Sequence, residues 1–534
     1  MSDIIITNAR VYTVDTDNPH AEAVVVRGNR IVFVGTTAEA LTHCQPHTRM
    51  VDGDGRTLIP GFIDSHFHLL WGALSLGDAQ LDEVRSLAEL EAAIRAYEVE
   101  NPGLAWLVGR GLRYIVPSHD EALTRHHLDA IEAERPFLIS AYDYHTIWAN
   151  TAALRLAGLL EGAETPAGSI IVMGEDGLAT GELREPGAYD PLLALQPTPD
   201  EATQRRLLHR ALTWCASLGI TSVHNMDGSA EQAALYAALE DAGELTLRVY
   251  LPYDVTPTTP LEALATEAVA LREQFQSEMV RGGSVKFFMD GVLESYTALL
   301  VEPYADDLTT HGEALWTAAQ FNSMASEADR LGLQIKVHCC GDGAVRRTLD
   351  GFEAAQKANG RRDSRHRVEH IELLHPEDEP RFAELGVIAS MQPLHAPMLH
   401  REHDVWPSRA GENRWNRSFA WRKLRDAGAR LAFGSDWPVV SPSPFAGLDD
   451  ALNRRPWGEE GDAHYHQTLA EVIASYTAEA AYAEFQEDVK GQIKVGMAAD
   501  LVLLSADIFA LDPTHIGQVT AAMTICNGQI VFEG

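Results

Sequence analysis

The chain has 534 residues and carries 77 aspartates and glutamates against 42 lysines and arginines, a formal charge of −35. So negative a surface repels phosphates, which argues against nucleic acid and reads most simply as a solvated acidic exterior. The length exceeds one ordinary domain and suits a large catalytic unit with a smaller companion.

Segments at the N-terminus, IIITNARVYTVD and AEAVVVRGNRIVFVG, alternate apolar and polar residues between Gly, Asn and Asp turns, which predicts short strands over residues 1–58. The chain enters the first of them by Ile4 with neither a basic start nor a signal-type apolar run, and no apolar run reaches the ~20 residues of a membrane helix. The five cysteines, Cys44, Cys215, Cys339, Cys340 and Cys526, are odd in number and lack paired metal spacing. Reduced thiols and a cytoplasmic location are therefore expected, with no membrane partner.

The stretch PGFIDSHFH, residues 60–68, places His66 and His68 two apart at the end of an apolar run beside Asp64. In a strand, residues two apart share a face, and two imidazoles side by side serve a metal better than they serve packing. Further runs end in cation-binding side chains: SVKFFMDG carries Lys286, QIKVHCCGD ends on His338, RHRVEHI on His370, and RLAFGSDWPV places Asp436 after a Gly-Ser step. Strands are predicted at 61–68, 220–226, 245–255, 283–290, 333–338, 365–370, 387–392 and 431–436, separated by segments of helical period. Eight such units predict a parallel (β/α)8 TIM barrel over 59–485, with its site at the carboxyl ends of the strands. The long insertion at about 72–218 is available to build a pocket. The closing segments GQIKVGMAADLVLL and AAMTICNGQIVFEG, within 486–534, alternate as the first ones do, so the two ends are expected to join in one small β-sandwich domain.

Lys286 stands out because the chain has only six lysines and this one lies in an apolar run. Burying an ammonium costs several kcal/mol unless it is paired or chemically changed. A salt bridge to Asp290, a neutral amine and a carbamate formed with carbon dioxide are the readings open to it.

In its motifs and their order the chain resembles the amidohydrolase superfamily, specifically the amidohydrolase-3 branch that includes the N-substituted formamide deformylases. The resemblance runs from IIITNARVYTVD through PGFIDSHFH, DYHTIWAN, GITSVHN, VKFFMDG, KVHCCGDGA, RVEHIE and GSDWPV to GQIKVGMAADLVLL. It implies that His66, His68 and Asp436 hold a more buried divalent metal and His338 and His370 a more exposed one. Carboxylated Lys286 would bridge the two. Zinc is the expected metal, two ions if Lys286 is carboxylated and one otherwise. A metal-bound hydroxide would attack, with Asp436 acting first as general base and then as acid. In the insertion, Asp143, His145, Trp148 and Asn150 resemble the branch's D-x-H-x-x-W-x-N pattern, although Tyr144 replaces the usual glycine. His145 is the candidate for stabilising the oxyanion, while Asp143, Trp148, Glu185, His224 and Trp437 are candidates for lining the substrate site. His126, His127, His395, His400 and His403 are expected to lie in loops or helices and to hold no metal.

The leading expectation is a metal-dependent hydrolase of a non-peptide C–N bond, an amide or N-substituted formamide, acting on a small molecule and possible as a homodimer. The competing readings are a mononuclear zinc deaminase or cyclic-amide hydrolase, and a catalytically inactive binding scaffold. Fold alone does not choose among substrates.

Overall fold

The computed structural model describes residues 3–118, 121–396, 405–454 and 466–534. Eight parallel strands, Phe62–Phe67, Ile220–Asn225, Arg248–Asp254, Val280–Phe288, Gln334–Cys339, Arg367–His370, Ile388–Met391 and Arg430–Phe433, pair in that order. They match the eight runs expected from the sequence. The first and last come together through a parallel bridge between Phe67 and Trp437, the Asp436 N–H donating to the His66 carbonyl at 2.7 Å, and the His68 N–H donating to the Trp437 carbonyl at 3.0 Å. These strands are buried almost throughout because helices cover the outer face, which explains their continuous apolar runs.

The connections begin where the sequence supplies caps. Asp200 accepts from the Thr203 N–H to open helix Glu201–Ser217, Ser229 does the same for Ala230–Asp241, and Thr317 with Gln320 forms a reciprocal capping box at Ala318–Arg330. Gly61, just ahead of the first barrel strand, has a packing reason: a Cβ there would meet Thr221 Oγ1 at 2.2 Å.

Thr57–Pro60 lies in a six-stranded sheet with Arg10–Tyr12 and His20–Ala21 on one side and Leu501–Leu504, Ala521–Cys526 and Gln529–Glu533 on the other, so the two ends of the chain share a sheet. A four-stranded sheet of Arg30–Gly35, Ala23–Arg27, Ile4–Thr7 and Arg49–Asp52 contributes Ile4, Ile6, Val24 and Val26 to the core that also buries Leu58, Leu501 and Ile525.

Between the first two barrel strands the chain builds another six-stranded sheet, from Ala79–Gln80, Leu107–Leu112, Phe137–Ala141, Thr146–Ala149, Ala179–Arg184 and Ile170–Met173. The tight connection from Ala141 to Thr146 carries Asp143, Tyr144 and His145 to the mouth of the barrel. No helix among the described residues is long and apolar enough to cross a membrane.

Candidate active site

A histidine and carboxylate cluster closes the floor of a cavity of about 910 Å³ at the carboxyl ends of the strands. Asp436 lies at its centre. Its Oδ1 is 3.3 Å from His66 Nε2 and 3.2 Å from His68 Nε2, while its Oδ2 is 3.9 Å from His370 Nδ1. One ligand atom each from His66, His370 and Asp436 lies within 4.8 Å of the others, and the His338 ring centroid is 4.5 Å from that of His370. Asp436 and His370 both have positive φ, 64° and 72°, a conformation that side-chain-bearing residues adopt only when their surroundings enforce it. At Asp436 the enforcement includes Asp64, which accepts from the Ser435 N–H at 2.9 Å and the His66 N–H at 3.1 Å, tying the first strand to the last.

Burial alone would raise the Asp436 pKa, but the charge of His66 and hydrogen bonds with His66 and His68 hold it well below the usual carboxylate range. Burial pushes His338 and His370 well down, so both present neutral rings. The same desolvation lowers Lys286, against the raising influence of Glu369, Asp436 and Asp254. Lys286 Nζ, His338 Nδ1 and His370 Nε2 are buried and make no hydrogen bond to the protein. Three orphaned nitrogens around one carboxylate would be costly in a core built for packing alone. As a donor set of imidazole nitrogens and a carboxylate they fit a divalent cation.

Other predicted residues divide by position. His145 reaches the cavity, its ring centroid 5.1 Å from that of His338, and its Nδ1 lies 2.8 Å from Glu185 Oε2. Burial opposes its protonation, but the charge and hydrogen bond of Glu185, helped by Asp143 and Asp436, raise its pKa to about 9. Asp143 and Glu185 both line the cavity, and Glu185 also accepts from Thr297 Oγ1 at 2.6 Å. Tyr144, in the position where glycine was expected, has a φ of 62°, the left-handed conformation that glycine adopts freely. Asn150 caps helix Thr151–Ala157. Trp148 packs in the core of the insertion against Tyr114, and Trp437 packs on Phe67 and Trp214. His224 lies inside the barrel between Arg367 Nη1 at 2.7 Å and Glu484 Oε1 at 3.2 Å. These three therefore lie away from the cavity, Trp148 and Trp437 because their rings fill apolar cores and His224 because its buried ring, held neutral by desolvation, accepts from Arg367 inside the barrel.

Among the histidines set aside, His126 and His127 lie on helix Arg125–Ile131, and His400 and His403 fall outside the described residues. His395 lies nearer the site than these. Pro393 opens a 3-10 turn directly after the seventh strand, and this swings His395 flat against His370, with ring centroids 5.8 Å apart, and brings its Nε2 to 3.6 Å from Asp436 Oδ2. Glu369, Asp227 and Gln392, which hydrogen-bond the rings of His66, His68 and His370, also escaped the sequence reading. Glu369 alone had a visible signal, as the residue before His370 in RVEHI.

A nearly closed parallel barrel with imidazoles and a carboxylate at its carboxyl ends defines the class of barrel hydrolases that work through a divalent metal. The chain belongs to the amidohydrolase family, hydrolases of carbon–nitrogen bonds, whose Amidohydro_3 model matches residues 49–532. It is 30% identical to YtcJ of Bacillus subtilis, a protein named as an amidohydrolase, over 98% of both chains. It is 28% identical to the N-substituted formamide deformylase of Arthrobacter pascens, over 100% of this chain and 99% of that one. An uncharacterized metal-dependent hydrolase from Pyrococcus furiosus, known from a crystal structure, is 25% identical with a TM-score of 0.71, covering 96% of this chain and 100% of its own.

Proposed function

We propose that this protein hydrolyses a non-peptide C–N bond of a small molecule, an amide or N-substituted formamide, with divalent metal as its cofactor. The observation that carries this is the meeting of His66, His370 and Asp436 ligand atoms within 4.8 Å at the floor of a roomy cavity. A divalent cation, zinc by the chemistry of the ligands, held by His66, His68, His338, His370 and Asp436 would acidify water and polarise the scissile carbonyl.

The chain's own residues perform the remaining steps. Asp436, ionised at neutral pH, accepts the proton of the attacking water and returns it to the departing nitrogen. His145, kept cationic by Glu185, donates a hydrogen bond to the oxyanion that forms on the carbonyl oxygen. Asp143 supports His145 by accepting from its backbone N–H at 2.9 Å. Lys286, whose neutral amine is favoured by burial, would add to carbon dioxide with release of one proton, and the carbamate anion so formed would help hold the divalent metal. The unpartnered Lys286 Nζ supports this step.

A single-cation enzyme, a deaminase or cyclic-amide hydrolase, is favoured by one observation: the tight ligand group among the described residues holds only three side chains. Counting ions per chain separates the two. We assign 1–58 and 486–534 to one β-sandwich domain and 59–485 to the barrel, in a cytoplasmic protein, with homodimerisation compatible with this organisation.

The test is a panel of N-substituted formamides and other small amides offered to metal-loaded protein, with release of amine followed. Amine release from at least one of them is expected. Metal-loaded, folded protein that releases none would overturn the assignment.

A further inference from the structure

A metal-ligating imidazole is tuned by what its second nitrogen meets, because a carboxylate behind the ring makes it a better donor than an amide does and also fixes which nitrogen is free to bind. The candidate ligands differ in this respect. His66 Nδ1 donates to Glu369 Oε2 at 2.8 Å, which leaves Nε2 facing Asp436. Glu369 is fully buried and clamped by Arg367, whose Nε donates to Oε1 at 2.8 Å and Nη2 to Oε2 at 3.0 Å. Arg367 is fixed in turn by the Ser65 carbonyl, Ser390 Oγ and His224 Nδ1. His68 Nδ1 donates to Asp227 Oδ1 at 2.7 Å, and Asp227 Oδ2 accepts from Gln232 Nε2 at 2.6 Å.

Across the site the support weakens. His370 Nδ1 donates at 2.9 Å to a neutral amide oxygen, Gln392 Oε1, and the Nε2 of that amide has no partner of its own. His338 Nε2 meets only Cys340 Sγ, at 3.7 Å, and His338 Nδ1 makes no hydrogen bond, so neither nitrogen of this ring has a hydrogen-bonded carboxylate behind it. Its nearest carboxylate oxygen is Asp290 Oδ1 at 3.5 Å, and Asp290 is already taken up by the backbone N–H groups of Leu299, Cys340 and Gly341. Two carboxylates thus back one pair of rings, and a single amide backs the other.

We propose that Glu369, Asp227 and Gln392 are positioning residues that make the two ends of the site unequal, so that the His66–His68 end binds a divalent cation more tightly and the His338–His370 end is the exchangeable one. This rests on the metal reading above. None of the three residues touches the reacting atoms. Each acts through the ring it holds.

The test needs no substrate. Metal-free full-length protein is titrated with zinc against a chromophoric chelator, and melting curves confirm that each variant is folded. The unaltered protein is expected to bind in two classes at least ~10-fold apart. Glu369→Gln should loosen the tight class roughly 10–100-fold and leave the weak class within about twofold. Asp227→Asn should do the same, and it stands in if Glu369→Gln fails to fold with Arg367 left unpaired. Gln392→Glu should tighten only the weak class, by about 10-fold. A single bound ion that Glu369→Gln or Asp227→Asn loosens supports the gradient at its limit. Two classes of equal affinity, or ions that bind as tightly in the Glu369 and Asp227 variants as in the unaltered protein, would overturn it. Failure of the unaltered protein to bind zinc at all would instead defeat the metal reading on which the gradient depends.

Discussion

Replacing Asp436 with asparagine separates shape from charge at the centre of the site. The amide keeps an oxygen able to occupy the place of Oδ1, 3.3 and 3.2 Å from the Nε2 atoms of His66 and His68, but it has no proton affinity comparable to that of a carboxylate. On the proposed mechanism the variant therefore loses the base that takes the water's proton and the acid that returns it. General acid and base assistance is worth about 10²–10⁴-fold, and at about 1.36 kcal/mol per decade that is roughly 2.7–5.4 kcal/mol of barrier. Asp436→Asn should thus lower kcat by at least ~10²-fold and change KM much less, because the lost interaction belongs to the transition state. Steady-state kinetics on any accepted amide, with metal content measured on the same preparation, provides the assay. A variant that keeps both its metal and near-native kcat would refute the assignment and turn attention to His145 as the proton carrier.

Lys286→Ala should reduce bound metal from about two ions to about one, with partial rescue by short carboxylic acids that replace the bridge; two ions retained in the variant, or an unmodified amine seen in the native protein, would end the carbamate proposal. His145 is raised to about 9 chiefly against burial by Glu185, so it is protonated below that pH and kcat should fall as pH rises through about 9. Glu185→Gln should move this limb down toward about 6.5, the ordinary histidine value, and an unmoved limb in the pH–rate profile would exclude the pair. At Gly434 an added Cβ would lie 2.4 Å from the His66 backbone nitrogen and 2.7 Å from Asp64 Oδ1, forcing the first and last strands apart. Gly434→Ala should cost at least about 1–3 kcal/mol, visible as a lower Tm, and an unchanged Tm would contradict the close approach.

The barrel was legible because its strands are apolar runs of the right length, six of the eight predicted ones ending in a polar residue. The period of two in PGFIDSHFH put His66 and His68 on one face without any tertiary knowledge. What escaped was set by contacts across the fold. His395 enters the site through the turn begun by Pro393, and nothing in the spacing of QPLHAP distinguishes that turn from a loop pointing outward. Glu369, Asp227 and Gln392 are ordinary polar residues until the barrel brings them behind particular rings. His224 and Trp437 turn away from the cavity, and their sequence gives no sign of it, since a position near a strand end does not say whether a side chain turns into the core or into the cavity.

The claim that matters most is that catalysis depends on metal held by these strand-end side chains. The most direct measurement removes metal from the protein with a chelator, assays amine release from an accepted amide, and repeats the assay after zinc is restored and ions per chain are counted. Activity should vanish with the metal and return with its restoration. Undiminished activity in protein shown to be free of metal would contradict the account.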